Sequence, residues 1–290
     1  RRPYKIVSEK TTSAPTRKEG GRPHGGRRGP VRKPRSMTAP ALTHRSNIDE
    51  TKAVSVPPLT DPDTVRIIPL GGVEEIGKNM TAIEIGDDIV VIDAGMHFST
   101  EETPGVDYII PNTTYLEERK DKIRALIVTH GHLDHTFSIT PLADGYDIPA
   151  YIHSEDRRFV ADPAGIHGEQ FVAQLQGMHF SEPKKVEELK NGSKLELLGM
   201  SLTAIHAPGH TRGSLMFTIN DEFLISGDVL FAGSIGRTDL PTGSAKEMTQ
   251  TLKTKVLPLS DDLRVLTGHG PETTIKFERK NNPYLKELTS

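Results

Sequence analysis

The sequence predicts an α/β domain over residues 64–290, preceded by a basic tail, residues 1–60, that lacks stable structure of its own. Two contrasts carry the prediction. Residues 1–60 are rich in Arg, Lys, Pro, Gly, Ser and Thr and almost free of apolar periodicity. From about Thr64 onward, short β-branched runs bounded by Gly, Asn and Asp alternate with stretches of helical composition. A third observation concerns chemistry: several of these runs end in a small residue followed by His or Asp, so reactive side chains gather at strand ends. With 290 residues, 34% of them hydrophobic, the chain can bury one sizeable core and carry an extension.

The composition narrows the chemistry. There is no cysteine, so disulfides and thiolate ligands are excluded, and any metal must be held by His, Asp or Glu; twelve histidines are enough for that. No signal-peptide core and no stretch of membrane-spanning length is visible, so a soluble cytoplasmic protein with no membrane partner is expected. Residues 1–45 hold 13 Lys and Arg against Glu9 and Glu19, a balance of +11, which leaves −14 for the remainder of a chain whose net charge is −3. Such a tail cannot repay its ordering entropy. It suits contact with RNA or another polyanion through phosphate neutralisation, and equally a solvated extension or a segment folding back on the acidic body.

The elements follow in order. Val65 to Leu70 alternates like a strand, and Met80 to Ile85 with Asp88 to Asp93 forms a hairpin around Gly86-Asp87. Gly72, Gly77 and Lys78 imitate a phosphate-cradling loop. Asn79 stands where a hydroxyl would hold magnesium, Glu74 and Glu75 would repel phosphate, and a strand follows where a helix is needed, so a nucleotide site is rejected. Thr113 to Lys122 has helical composition with Thr114 as cap, and Ala125 to Val128 reads as a short buried strand. Helices are expected over Thr136 to Ala143, Asp156 to Ala161, Glu169 to Gln176 and Lys246 to Val256, with an amphipathic final segment, Lys276 to Glu287, capping the body. Strands are expected at Ala150 to His153, Lys194 to Leu198, Ser201 to His206, Ser214 to Ile219, Glu222 to Ile225 and Arg264 to Leu266.

The strongest signal is His130-Gly-His132-Leu-Asp134-His135, at the end of the Ala125 to Val128 strand. Alternate residues of an extended segment point the same way, so His130 and His132 face one point while Asp134 and His135 turn toward a neighbouring one. Gly131 gives the backbone room to bend between them. Later strand ends present His210, Asp228 and His269. His130, His132 and His210 are assigned to one divalent ion, Asp134, His135 and His269 to a second, and Asp228 to the position between. The expected ions are zinc, with iron or manganese as substitutes. Asp93, closing a buried strand, is either a brace for the ligands or a turn-initiating Asp. His97 is left off the ligand list.

His-x-His-x-Asp-His resembles the signature of the metallo-β-lactamase superfamily, and His210, Asp228 and His269 match its later ligand motifs in order. That resemblance implies a four-layer αββα sandwich with two metals at one edge of the sheets. Within the superfamily, residues 65–135, with Ile68-Pro-Leu-Gly-Gly-Val-Glu-Glu-Ile-Gly-Lys-Asn-Met80 and Ile92-Asp-Ala-Gly95, resemble the start of ribonuclease J. Residues 129–290, with Ala207-Pro-Gly-His-Thr211, Ser226-Gly-Asp-Val-Leu-Phe231 and Gly268-His-Gly-Pro271, look like hydroxyacylglutathione hydrolases of the glyoxalase II type. The RNA-clamping domain inserted in ribonuclease J has no room between Thr136 and Ser290. The resemblance therefore implies a dinuclear hydrolase of a thioester such as S-lactoylglutathione. A hydroxide held between the metals attacks the carbonyl, Asp134 serves as both ligand and orienter of the nucleophile, and Arg237 braces a loop or meets substrate. The alternatives are a ribonuclease J-like RNA hydrolase with the tail on RNA, and a non-catalytic RNA-tethering protein.

Overall fold

The strand residues that face alternately in and out explain the layers. In Asp88–Ile92, Val90 and Ile92 point into one core, while Ile89 and Val91 point into another. In Leu215–Ile219 and Phe223–Gly227, Phe217, Phe223 and Ile225 join the first of these cores, and Met216 and Leu224 a third. The shared core lies between two sheets, and the other two lie beneath helices on the outer faces. This computed structural model, which describes residues 4–6, 64–72, 77–98, 105–175 and 177–289, therefore has the expected four-layer αββα architecture.

The seven-stranded sheet runs in the order Tyr4–Ile6, Val65–Gly71, Met80–Ile85, Asp88–Ile92, Ile123–Ile127, Ala150–His153, Val186–Leu189. The six-stranded sheet runs Lys194–Leu197, Met200–His206, Leu215–Ile219, Phe223–Gly227, Arg264–Thr267, Thr273–Thr274. Asp88–Ile92, Ile123–Ile127 and Ala150–His153 are mutually parallel, as are Phe223–Gly227 and Arg264–Thr267. The helices Ile139–Tyr146 and Ala245–Thr251 lie within the crossovers that parallel pairing requires.

Several expectations need correction. Tyr4–Ile6, inside the tail assigned to 1–60, is a strand pairing in parallel with Val65–Ile67. A Tyr-Lys-Ile run has the β-propensity to add to the N–H and C=O groups of an edge strand. The rest of that tail, with His24 and His44, lies outside the described residues. Thr114 is not a cap: the helix is only Thr114–Glu117, and Asn112 Oδ1 accepts its first N–H at 3.0 Å. The final amphipathic segment forms two helices, Ile275–Asn281 and Pro283–Thr289, because Pro283 cannot continue the first. Among the described residues no helix is long and apolar enough to cross a membrane.

Two polar features are set into this frame. Arg66 Nη1 donates to Glu84 Oε2 at 2.9 Å across a strand pair, and Tyr115 Oη donates to the same oxygen at 2.6 Å; both Arg66 and Glu84 are buried. His153 stacks on His206 with ring centroids 4.0 Å apart, and its Nδ1 accepts the N–H of Glu155 at the start of Ser154–Arg157. Burial and the neighbouring His206 push the His153 pKa down to about 4.

Glu84→Ala leaves the Arg66 charge buried without that carboxylate. It is expected to destabilise the fold by about 3–5 kcal/mol, read as a lower denaturation midpoint. Because the folded state disfavours protonated His153, the unfolded chain takes up the proton first. This group's contribution to stability is therefore complete above pH 6.5 and falls as pH drops from 6.5 to about 4. His153→Asn, which keeps a capping acceptor, is expected to flatten the stability profile of metal-loaded protein over that window.

Candidate metal centre

All the parallel strands carry their carboxyl ends to one edge of the sandwich. There the loops after Ile123–Ile127, Met200–His206, Phe223–Gly227 and Arg264–Thr267 meet, and the predicted side chains come together in two sets: His130, His132 and His210, and Asp134, His135, Asp228 and His269. Within each set the ligand atoms lie within 4.8 Å of one another. In the first, His210 Nε2 is 2.9 Å from His132 Nδ1 and 3.2 Å from His130 Nε2. In the second, His269 Nε2 is 3.1 Å from Asp228 Oδ2 and 3.3 Å from Asp134 Oδ2, and His135 Nε2 is 3.3 Å from Asp228 Oδ1. Asp228 Oδ2 also lies 3.6 Å from His210 Nε2, so this carboxylate stands between the sets.

The donor set fits divalent ions. Two ligands about 2.0–2.1 Å from a tetrahedral centre are roughly 3.3 Å apart, and the spacings in each set cluster around that value. Asp228 Oδ1 is buried and accepts no well-formed hydrogen bond, its neighbour His135 Nε2 lying 3.3 Å away. Burial first, and then neighbouring histidines, hold His130 and His132 well below the usual imidazole pKa, so their lone pairs stay free. In the second set burial opposes protonation of His135, but Asp228, Asp93 and Asp134 outweigh it and push its pKa well up. The same balance, between burial and the carboxylates Asp228 and Asp134, raises His269 to about 9. Asp134 and Asp228 are held low against burial by the imidazoles they face. Protons thus gather where a cation's charge would offset the same carboxylates, and loading of the set would release them.

Two of these imidazoles, His135 and His210, are oriented from behind. His135 Nδ1 donates to Asp93 Oδ2 at 2.8 Å, and Asp93 also accepts Thr129 N–H and Oγ1–H, each at 2.8 Å, so the brace reading of Asp93 holds. Asp93 adopts φ +60°, a conformation Asp and Asn tolerate better than most residues. His210 Nδ1 donates to the Arg237 carbonyl at 2.8 Å, while the Arg237 guanidinium is bidentate to Asp239 at 2.8 and 2.7 Å. Arg237 is therefore a brace. Gly95 is required by proximity, since a Cβ there would lie 1.5 Å from the Asp134 carbonyl oxygen.

Other residues of the site carry no sequence signal strong enough to select them. Asp156, fully buried, accepts Gly131 N–H at 2.9 Å, Gly213 N–H at 2.8 Å and Thr211 Oγ1–H at 2.6 Å, tying the first histidine loop to the loop of His210. The backbone bends at Gly131 as expected, without a positive φ, and the residue also serves close packing, since a Cβ would meet Ile166 at 3.1 Å. The Asn79 amide nitrogen lies 2.8 Å from His135 Nε2. His167 Nε2 accepts Leu133 N–H at 2.9 Å and its ring lies 4.9 Å from that of His132. His97 and His167 line the pocket above the site but belong to neither set.

Residues 73–269 match the family described as the Metallo-beta-lactamase superfamily. An uncharacterized protein of Mycobacterium leprae is 39% identical over 206 residues, spanning 70% of this chain and 90% of that one. Hydroxyacylglutathione hydrolase GloC of Haemophilus influenzae is 33% identical over 171 residues, 59% of this chain and 79% of that one. The crystal structure of TTHA1623 in a di-iron-bound form superposes with TM-score 0.55 at 29% identity, over 74% of this chain and 100% of that one.

Asp93→Asn removes the charge behind His135 while suiting the backbone conformation. It is expected to weaken metal binding about 10–100-fold, measured by competition with a chromophoric chelator, with a small change in thermal midpoint.

Proposed function

The chain belongs to the metallo-beta-lactamase superfamily, and from that premise we propose that it is a dinuclear metal-dependent hydrolase cleaving a thioester, with S-lactoylglutathione as the first substrate to test. The observation that carries the reading is the pair of ligand sets meeting at Asp228 on the wall of an open pocket. The likeness to GloC supports a thioester over other carbonyl substrates. His130, His132 and His210 would hold one ion and Asp134, His135 and His269 the other, with Asp228 reaching both. Two divalent ions, zinc or iron, with manganese as a third candidate, would supply Lewis acidity toward the carbonyl oxygen and acidify water toward neutral pH.

The remaining work falls to the chain. Asp134 lies at the pocket wall and is held ionised, so one carboxylate oxygen can orient the attacking water and accept its proton while the other faces His269. The water oxygen bonds to the acyl carbon, the C–S bond breaks, and the proton passes to the departing thiolate, giving a carboxylic acid and a thiol. Asp93 and the Arg237 carbonyl hold the imidazoles in register throughout. The ribonuclease reading, drawn from the sequence of residues 65–135 and the basic tail, would use the same cluster on a phosphodiester.

Metal analysis and parallel assays separate these readings. Purified protein is expected to carry zinc or iron and to turn over S-lactoylglutathione. Chelation should abolish turnover, metal should restore it, and Asp134→Asn should lower kcat by about 100-fold or more. 5′-Monophosphorylated RNA is expected to stay intact. RNA cleavage by protein that leaves every thioester untouched would overturn the proposal.

A further inference from the structure

We propose that the pocket beside the cluster is an acyl site selective for an uncharged, apolar acyl group, aliphatic or aryl. The inference rests on the thioesterase reading and adds the substrate class. The pocket encloses about 920 Å³ and reaches His132, Asp134, His210, Asp228 and His269. Much of the rest of its wall is apolar: Met96, Phe98, Phe171, Phe231, Leu240 and Pro271.

The wall is ordered. Phe98 meets Phe171 edge to face with centroids 4.8 Å apart, Phe171 stacks on His167 at 4.6 Å, and His167 in turn neighbours His132. An aromatic row thus runs from the pocket wall to a ligand. Because His167 Nε2 accepts the Leu133 N–H, the ring is held as the neutral Nδ1–H form and brings no charge. Phe231 sits 5.8 Å from His269 in the Leu230–Phe231 and Ser234–Ile235 hairpin, which is anchored where Gly233 N–H donates to buried Glu278 at 2.8 Å. Side chains fixed in this way bind an apolar group without first having to be ordered.

The charges point the same way. Among the described lining residues Arg237 is the one Lys or Arg, and its guanidinium is committed to Asp239. A carboxylate at the far end of the acyl group, away from the metal ions, would lie against a wall whose one Arg already pairs with Asp239, whereas each buried methylene is worth about fourfold in binding.

The test uses N-acetylcysteamine thioesters, whose short thiol carries no charge, on metal-loaded full-length protein. From acetyl to butyryl to hexanoyl, kcat/KM is expected to rise about fourfold per methylene while the chain stays in the pocket, and the succinyl thioester should fall at least tenfold below butyryl. Phe171→Ala should lower the hexanoyl value more than the acetyl value. Calorimetry with dethia analogues, in which CH2 replaces the sulfur, should give the same order of affinities without turnover. A flat series or a preference for succinyl, in turnover or in analogue binding, overturns the acyl-site proposal. Ordered analogue binding with no thioester turnover upholds the acyl site and sinks the thioesterase reading instead.

Discussion

The site exists because the strands that lead into it run the same way. Asp88–Ile92, Ile123–Ile127 and Ala150–His153 are parallel neighbours, and Met200–His206 and Phe223–Gly227 share a direction because both pair antiparallel with Leu215–Ile219. Reversing any one of them would deliver its loop to the opposite edge, roughly 17–20 Å away for a typical strand. Parallel neighbours require crossovers, and their helices need a surface to cover. The helices on both outer faces are therefore a consequence of the same requirement that brings the ligands together.

Gathering imidazoles and carboxylates in a buried place is unfavourable in itself, and the loops would spread if the chain did not hold them. The restraints are buried polar groups whose hydrogen bonds cross between elements. Asp93 ties the Asp88–Ile92 strand end to Thr129 and His135, and Asp156 ties the loop of His130 and His132 to that of His210. A buried carboxylate is tolerable only when donors surround it. Each of these has three, so their places in the sequence mark where loop shape matters most. Glycine does the complementary work by absence: a Cβ on Gly268 would lie 2.1 Å from Asp228 Oδ1, closer than any real contact.

How much of this the sequence revealed depends on how local each signal was. His130, His132, Asp134 and His135 lie within six positions after an apolar run, and His210, Asp228 and His269 each follow a strand and a small residue, so their types and setting were legible. Asp156 was not, because its partners Gly131 and Gly213 lie 25 and 57 positions away and its neighbours Ser-Glu and Arg-Arg read as an ordinary helix surface. Asn79 and His167 were missed for the same reason. Val186–Leu189 escaped because Glu187 and Glu188 are exposed on an edge strand and leave only two apolar positions. The helices were read too long wherever the backbone tightened into a 3₁₀ turn, as at Arg158–Val160, or changed pitch, as at Leu252–Val256.

The family match runs unbroken over residues 73–269, and packing likewise shows no boundary at the histidine motif. Val90, Ile92, Ala125 and Ile127, ahead of the motif, share one core with Leu202, Phe217 and Ile225, beyond it. Leu215 N–H donates to the Thr129 carbonyl at 2.8 Å, joining the sheets beside the cluster. The pocket draws on both sides of the motif as well, with Met96 and Phe98 from one and Phe171, Phe231 and Leu240 from the other. A shared set of ligands therefore says little about which substrate is chosen. The proposed acyl site places that choice with side chains such as Phe98 and Phe171, which touch across the histidine motif and hold no electron pair for a metal.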